Sequence, residues 1–138
     1  MRVLIADDQR SVGTSLADMV RCCKHDIVAV VGSGLEAIQA YNHHRPDLVL
    51  MDYWMPKLNG ATACRNILAK DPNARIILVS GWAPPDDARK SGAIAILLKP
   101  LDLDRLEAAL HDVAESLRAA AEATISLTSI VSRAGADG

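Results

Sequence analysis

Phenylalanine is absent from this sequence, and two tyrosines and two tryptophans are its only aromatic residues. A largely aliphatic core is therefore expected. No apolar run approaches the ~20 residues that a membrane-spanning helix needs, so no contact with a membrane is expected. The first apolar run begins at Arg2, which leaves no room for a signal peptide and makes the cytoplasm the expected location. Cys22, Cys23 and Cys64 are odd in number and show no C-x-x-C spacing, which argues against a disulfide framework and against a zinc site. His43, His44 and His111 lack metal-ligand spacing as well. Neither sign of charge dominates: 15 Lys and Arg stand against 17 Asp and Glu, for a net charge of −2. That balance gives no electrostatic footprint for nucleic acid, and no direct contact with it is expected.

What the chain does have is length and apolar content for one domain. Its 138 residues, 50% hydrophobic, can bury a real core but are too few for two. Four apolar runs each stop at a polar residue of a different kind. Arg2 to Ala6 ends at Asp7-Asp8, Leu48 to Met51 at Asp52, Arg75 to Val79 at Ser80, and Ile94 to Leu98 at Lys99. A further strand is expected at Ile27 to Val31. Between the runs lie helical patterns: Ser11 to about Arg21, with Val12, Leu16, Met19 and Val20 as its apolar stripe, then Leu35 to about His43 and Ala61 to about Lys70. Short apolar runs alternating with helices read as buried strands of a parallel sheet. The expected fold is α/β, a doubly wound parallel sheet with right-handed crossovers and helices on both faces.

In such a sheet every strand points the same way, and ligands bind outside the carboxyl ends. Asp7, Asp8, Asp52, Ser80 and Lys99 should therefore meet at one edge. Singly, each has a plain structural role open to it: Asp8 or Ser80 as a helix cap, Asp52 as a turn residue, Lys99 as a solvated charge. Capping does not explain why three acids and a lysine share one edge. Clustered carboxylates repel one another, and a hard divalent cation with oxygen ligands relieves that repulsion.

These motifs resemble the receiver domains of two-component response regulators. The likeness covers Met1 to about Leu117 and rests on Asp7-Asp8, on Asp52-Tyr53-Trp54-Met55-Pro56 with Gly60 behind it, and on Ser80, Gly92-Ala93 and Lys99-Pro100. The resemblance implies five strands in the flavodoxin-like order 2-1-3-4-5. It makes Asp52 the phosphoacceptor in a Mg2+-dependent reaction that forms an acyl phosphate. Asp8, Asp52 and the backbone carbonyl of Trp54 would hold the metal, with Asp7 acting mainly through water. Lys99 would pair with one phosphoryl oxygen, and Ser80 would donate a hydrogen bond to another. The implied donor is a phosphohistidine on a sensor histidine kinase or a histidine phosphotransfer protein. The chain would not be an enzyme in the ordinary sense, but an acceptor that catalyses its own phosphotransfer and slow dephosphorylation. Its output would pass through contacts with another protein. A cis Lys99–Pro100 bond is expected.

The sequence also departs from that family. Ile96 stands where the family has an aromatic residue that swings inward on activation. The interval from Ser80 to Lys99 is about one helical turn short and contains Pro84-Pro85, so the fourth helix is expected only from Asp86 to Ser91. Tyr53, Trp54 and Trp82 all fall in the site loops and are expected as rings at the site mouth. After the receiver domain, 1–117, residues 118–138 are expected to form a helical or frayed tail. Leu103, Leu106, Leu110, Val113, Leu117, Ala120, Thr124, Leu127 and Val131 recur at steps of three and four. That seam would allow a homodimer through the C-terminal helix. Three rival readings stand beside the phosphoacceptor. One is an aspartyl-phosphate phosphatase, another a phosphorylation-independent adaptor with the same fold. The third is a receiver fragment of a longer transcriptional regulator.

Overall fold

A computed structural model describes residues 1–82 and 86–136, with side chains described to residue 128. Five strands, β1 (Arg2–Ala6), β2 (Asp26–Val31), β3 (Leu48–Asp52), β4 (Ile76–Ser80) and β5 (Ala95–Leu98), alternate with five helices. The helices are α1 (Arg10–Cys22), α2 (Gly34–His44), α3 (Gly60–Lys70), α4 (Asp86–Arg89) and α5 (Leu103–Ala136). All strand pairs are parallel, in the order β2-β1-β3-β4-β5. This is the doubly wound α/β sheet and the order that the sequence led us to expect.

The two central strands explain the apolar runs. Every residue of β3 and β4 is buried, because helices cover both faces and neither face can be polar. Successive side chains point to opposite faces of a strand, and the core divides accordingly. Leu4, Val49, Met51 and Leu78 pack with Ala37, Tyr41, Ala63 and Ile67 of α2 and α3. Val3, Ile5, Leu48, Leu50 and Ile77 pack with α1 and α5 through Leu16, Val20, Leu106, Leu110 and Val113.

Local signals start the helices where the site needs them. Ser33 caps α2 by accepting from the Glu36 backbone N–H at 3.1 Å, and the Glu36 carboxylate accepts from Gly32 N–H at 3.0 Å. This reciprocal pairing satisfies N–H groups that a helix start leaves free. Asn59 caps α3 through the Thr62 N–H at 2.9 Å. At the next residue, Gly60, a Cβ would overlap the carbonyl oxygen of Asp52. Only glycine lets α3 begin so close to the end of β3.

Two regions differ from expectation. Helix α4 stops at Arg89 rather than Ser91. The Ser91 hydroxyl donates to the Ala88 carbonyl at 2.6 Å and accepts from Ala93 N–H at 3.2 Å, and Gly92 follows with φ +91°. That side-chain competition and the left-handed residue end the helix. Pro84-Pro85 lie outside the described residues. Tyr53 is only 4% exposed and belongs to the core against α3, so it is not at the site mouth. It falls on the same face as Met51, two residues before it. Of the two forms expected for the tail, α5 takes the helical one, continuing without a break past Leu117 to Ala136. Its residues 118–128 are exposed. Thr124 and Thr128 donate to the carbonyls of Ala120 and Thr124, at 3.0 and 2.9 Å, which ties both hydroxyls into the helix. The seam position Val131 lies outside the described side chains.

The division of α5 into a buried and an exposed part predicts unequal effects on stability. Leu110→Ala, in the core, should cost about 2–5 kcal/mol. A chain ending at Leu117 should lose no more than about 0.5 kcal/mol, because it gives up exposed positions. Urea denaturation followed by circular dichroism would compare them, and a large loss on truncation would show that the extension supports the fold.

Candidate functional site

The carboxyl edge of the sheet carries every polar strand end picked out above. Asp7 and Asp8 follow β1, Asp52 closes β3, Ser80 closes β4, and Lys99 follows β5. One carboxylate oxygen from each of Asp7, Asp8 and Asp52 lies within 4.8 Å of the others, with Asp7 and Asp52 buried and Asp8 exposed. The Lys99 ammonium sits 3.1 Å from Asp7 and 3.3 Å from Asp52. The other oxygen of Asp7 accepts from Gln9 N–H at 2.9 Å. The capping role open to Asp8 is not taken: Gln9 is the N-cap of α1, and its side chain makes no cap bond.

Electrostatics single out Asp52. Burial pushes its carboxyl up to about 6, and the charges of Asp7 and Asp8 push the same way, against the pull of Lys99. For Lys99, burial disfavours the charge most strongly as a single effect. The bonds and charges of Asp7 and Asp52 together outweigh it and hold the ammonium above its ordinary value. One ammonium thus pairs with two of the three acids. An all-oxygen donor set with uncompensated negative charge fits a hard divalent cation such as Mg2+.

Ser80 reaches the edge, but its hydroxyl is engaged elsewhere. It donates to the Trp82 carbonyl at 3.0 Å and accepts from Trp82 N–H at 3.3 Å. The Lys99–Pro100 bond is cis, as expected. Trp54 and Trp82, each two residues beyond a site residue, are 53% and 73% exposed. Those two rings do stand in the solvent-facing loops. Cys23 and Cys64 have thiols pushed up mainly by burial, which fits packing rather than reactivity.

Sequence reasoning missed one polar contact beside the site. The Tyr53 phenol donates to both carboxylate oxygens of Asp87, at 2.7 and 2.8 Å. Burial, then this bond, pushes the phenol up to about 12, so it remains a donor throughout the physiological range. The partners are 34 residues apart, and no motif joins them. The only available signal was an acid pair, Asp86-Asp87, at the start of a very short helix.

The raised Asp52 has a consequence for stability in the absence of divalent ions. Its carboxyl titrates at 3.8 when free and at about 6 when folded. The folded state alone bears the cost of charging it. That cost is absent below pH 4, grows between pH 4 and 6, and is complete above about 6. Asp52→Asn should therefore stabilise the metal-free protein by roughly 2–3 kcal/mol at pH 8 and hardly at all at pH 4. Urea denaturation at both pH values checks the sign; a variant less stable at pH 8 would show that the Lys99 pairing outweighs burial.

Comparisons with known proteins agree with this geometry. The profile of the response regulator receiver domain matches residues 3–111. The chemotaxis protein CheY of Listeria monocytogenes is 35% identical over 118 residues, covering 83% of this chain and 99% of that protein. The transcriptional regulatory protein PdtaR of Mycobacterium tuberculosis is 38% identical over 113 residues, 80% of this chain but 55% of its own length. Among solved structures, the CheX–CheY–BeF3–Mg2+ complex from Borrelia burgdorferi contains a chain 30% identical, with a TM-score of 0.73. That match covers 85% of this chain and 88% of the other. The profile spans most of the chain and the relatives exceed 30% identity, and the chain belongs to the response regulator receiver domain family.

Proposed function

We propose that Asp52 accepts a phosphoryl group from a phosphohistidine of a sensor histidine kinase or histidine phosphotransfer protein, and that the product signals through contacts with another protein in the cytoplasm. The observation that carries this reading is the buried Asp52 carboxylate, set beside Lys99 and facing Asp7 and Asp8. An Asp52 oxygen attacks phosphorus, the O–P bond forms, and the P–N bond of the donor breaks. The imidazole leaves as the neutral base once a solvent proton reaches it. Asp8 and Asp52, with the Trp54 carbonyl as the resemblance implies and Asp7 behind them, would hold Mg2+, which supplies charge neutralisation at the phosphoryl oxygens. Lys99 already lies 3.3 Å from Asp52 and supplies a second positive charge where negative charge develops. Ser80 must turn away from Trp82 before it can donate to a phosphoryl oxygen.

Access for a protein donor is supported by an open cleft of about 480 Å3 beside Lys99, between α1 and the β5–α5 connection. Ser11, Ser15, Leu16, Met19, Pro100 and Leu101 contribute to its walls. The exposed rings of Trp54 and Trp82 support a further role, restricting the water that hydrolyses the acyl phosphate. A phosphorylation-independent adaptor is the second reading, favoured by Ile96 and the four-residue α4. It gives no reason for keeping Lys99 and three acids together.

Three outcomes are expected. Acetyl phosphate with Mg2+ should add a single phosphoryl group, seen by intact mass spectrometry, and removing Mg2+ or making Asp52→Asn should abolish it. Lys99→Ala should slow labelling by roughly 10²-fold. Persistent labelling of Asp52→Asn would place the acceptor elsewhere. Trp54→Asn and Trp82→Ala should speed dephosphorylation by roughly three- to tenfold, about 1 kcal/mol of barrier. Unchanged decay of the labelled protein would remove the shielding role.

A further inference from the structure

The connection between β4 and α4 is tied at both ends to the edge that carries Asp52. At its start, the Ser80 hydroxyl holds the backbone of Trp82. At its far end, Tyr53, the residue after Asp52, donates to both oxygens of Asp87 in α4. Helix α4 has four residues and one buried side chain, Ala88, so apolar burial gives it little hold. Arg65 adds a bond from an exposed position to the Asp87 carbonyl, at 3.4 Å. Tyr53 itself is fixed, buried in the core and joined to β4 by its N–H donating to the Val79 carbonyl at 2.8 Å.

We propose that the Tyr53–Asp87 hydrogen bond is a brake on activation, holding α4 in its unphosphorylated position against the release of Trp82. The proposal rests on the phosphoacceptor reading of Asp52. Ser80 has one hydroxyl hydrogen. Donating it to a phosphoryl oxygen takes it from the Trp82 carbonyl and frees the start of the connection. Ile96 has no polar end and packs against the core on the α3 side, so it offers no second path along β5. Any shift of α4 that accompanies this is resisted by the Tyr53 bond to Asp87. A contact that favours one of two states lowers the affinity of any ligand that selects the other. Tyr53 is thus a positioning residue that acts through α4.

Beryllofluoride with Mg2+, a stable mimic of the acyl phosphate, tests this in the full chain, titrated by tryptophan fluorescence. The wild type, Tyr53→Phe, Asp87→Ala and the double variant form one cycle. Each single variant should bind beryllofluoride roughly three- to tenfold more tightly, within the range of ordinary coupling between sites. The double variant should match the singles, since both remove one bond. Amide hydrogen exchange at residues 86–90 should quicken in Tyr53→Phe without ligand. Tyr53→Phe keeps the buried ring, so the exchange and affinity arms stand even where Asp87→Ala fails to fold. Unchanged or weaker affinity in Tyr53→Phe, or additive effects in the double variant, would overturn the brake and leave the phosphoacceptor reading intact. A wild type that does not bind beryllofluoride would overturn both.

Discussion

The ammonium of Lys99, wedged between Asp7 and Asp52, is the interaction on which the site depends. Two buried carboxylates a few ångströms apart would not both stay ionised unaided. At 3.1 and 3.3 Å each pairing with Lys99 is worth about 5 kcal/mol at an effective dielectric of ~20, before desolvation is subtracted. Burial takes back much of that gain. The raised Asp52 shows which side wins there: with one ammonium shared between two acids, burial and repulsion exceed the lysine's pull. The site is therefore left short of positive charge, the condition in which a divalent cation and then an incoming phosphoryl group can bind. A second lysine at this edge would relieve the acids and remove the reason to bind a cation.

Keeping such a cluster in place requires a frame that does not yield. β3 and β4 are buried at every residue, and the hydrophobic core, Tyr41 and Tyr53 included, grips them from both faces. Tight packing of this kind resists the relaxation that would let like charges drift apart. Gly60 adds a close constraint: α3 starts against the backbone of Asp52, and the Gly60 N–H donates to the Tyr53 carbonyl at 2.8 Å. The chain after Asp52 is thus pinned within a few residues, while the backbone of Trp82, in the next loop, is held by the Ser80 hydroxyl. Rigidity at Asp52 and weakness at Trp82 suit an acceptor that must hold its geometry and still report a change.

Much of this was legible in the sequence for one physical reason. A strand buried on both faces must be apolar throughout, so its first polar residue marks the carboxyl edge. Asp7, Asp52 and Ser80 were found by that rule, and Lys99 by the apolar run of β5, although that edge strand is only half buried. Helix lengths were less legible. The end of α4 depends on the Ser91 hydroxyl turning back to Ala88, a competition that composition does not reveal. The continuation of α5 was left open between helix and frayed end for a different reason: from Thr124 on its residues are mostly β-branched or hydroxylated, and weak helix formers look like a frayed end. In the structure the threonine hydroxyls bond back to the helix. Tyr53 was misplaced because membership of a loop was allowed to override strand alternation. Counting on from Met51 puts it in the core.

That misplacement bears on how a receiver with Ile96 can work. The path from the site to its output surface needs a group that touches the phosphoacceptor segment at one end and a movable element at the other. Ile96 offers only dispersion contacts, which change gradually with position and have no alternative partner to switch to. A hydroxyl with a single hydrogen is different, because it must choose between acceptors. Ser80 faces that choice between Trp82 and a phosphoryl oxygen, and the Tyr53 phenol is committed to Asp87. Both choices lie on the Asp52 side of α4 and neither lies on β5. A change at Asp52 is then expressed in hydrogen bonds at the two ends of one short connection, with the rest of the sheet left as it was. The short α4 suits this: one turn with a single buried alanine gains little from apolar burial, so the bonds of Asp87 with Tyr53 and Arg65 weigh heavily in where it sits.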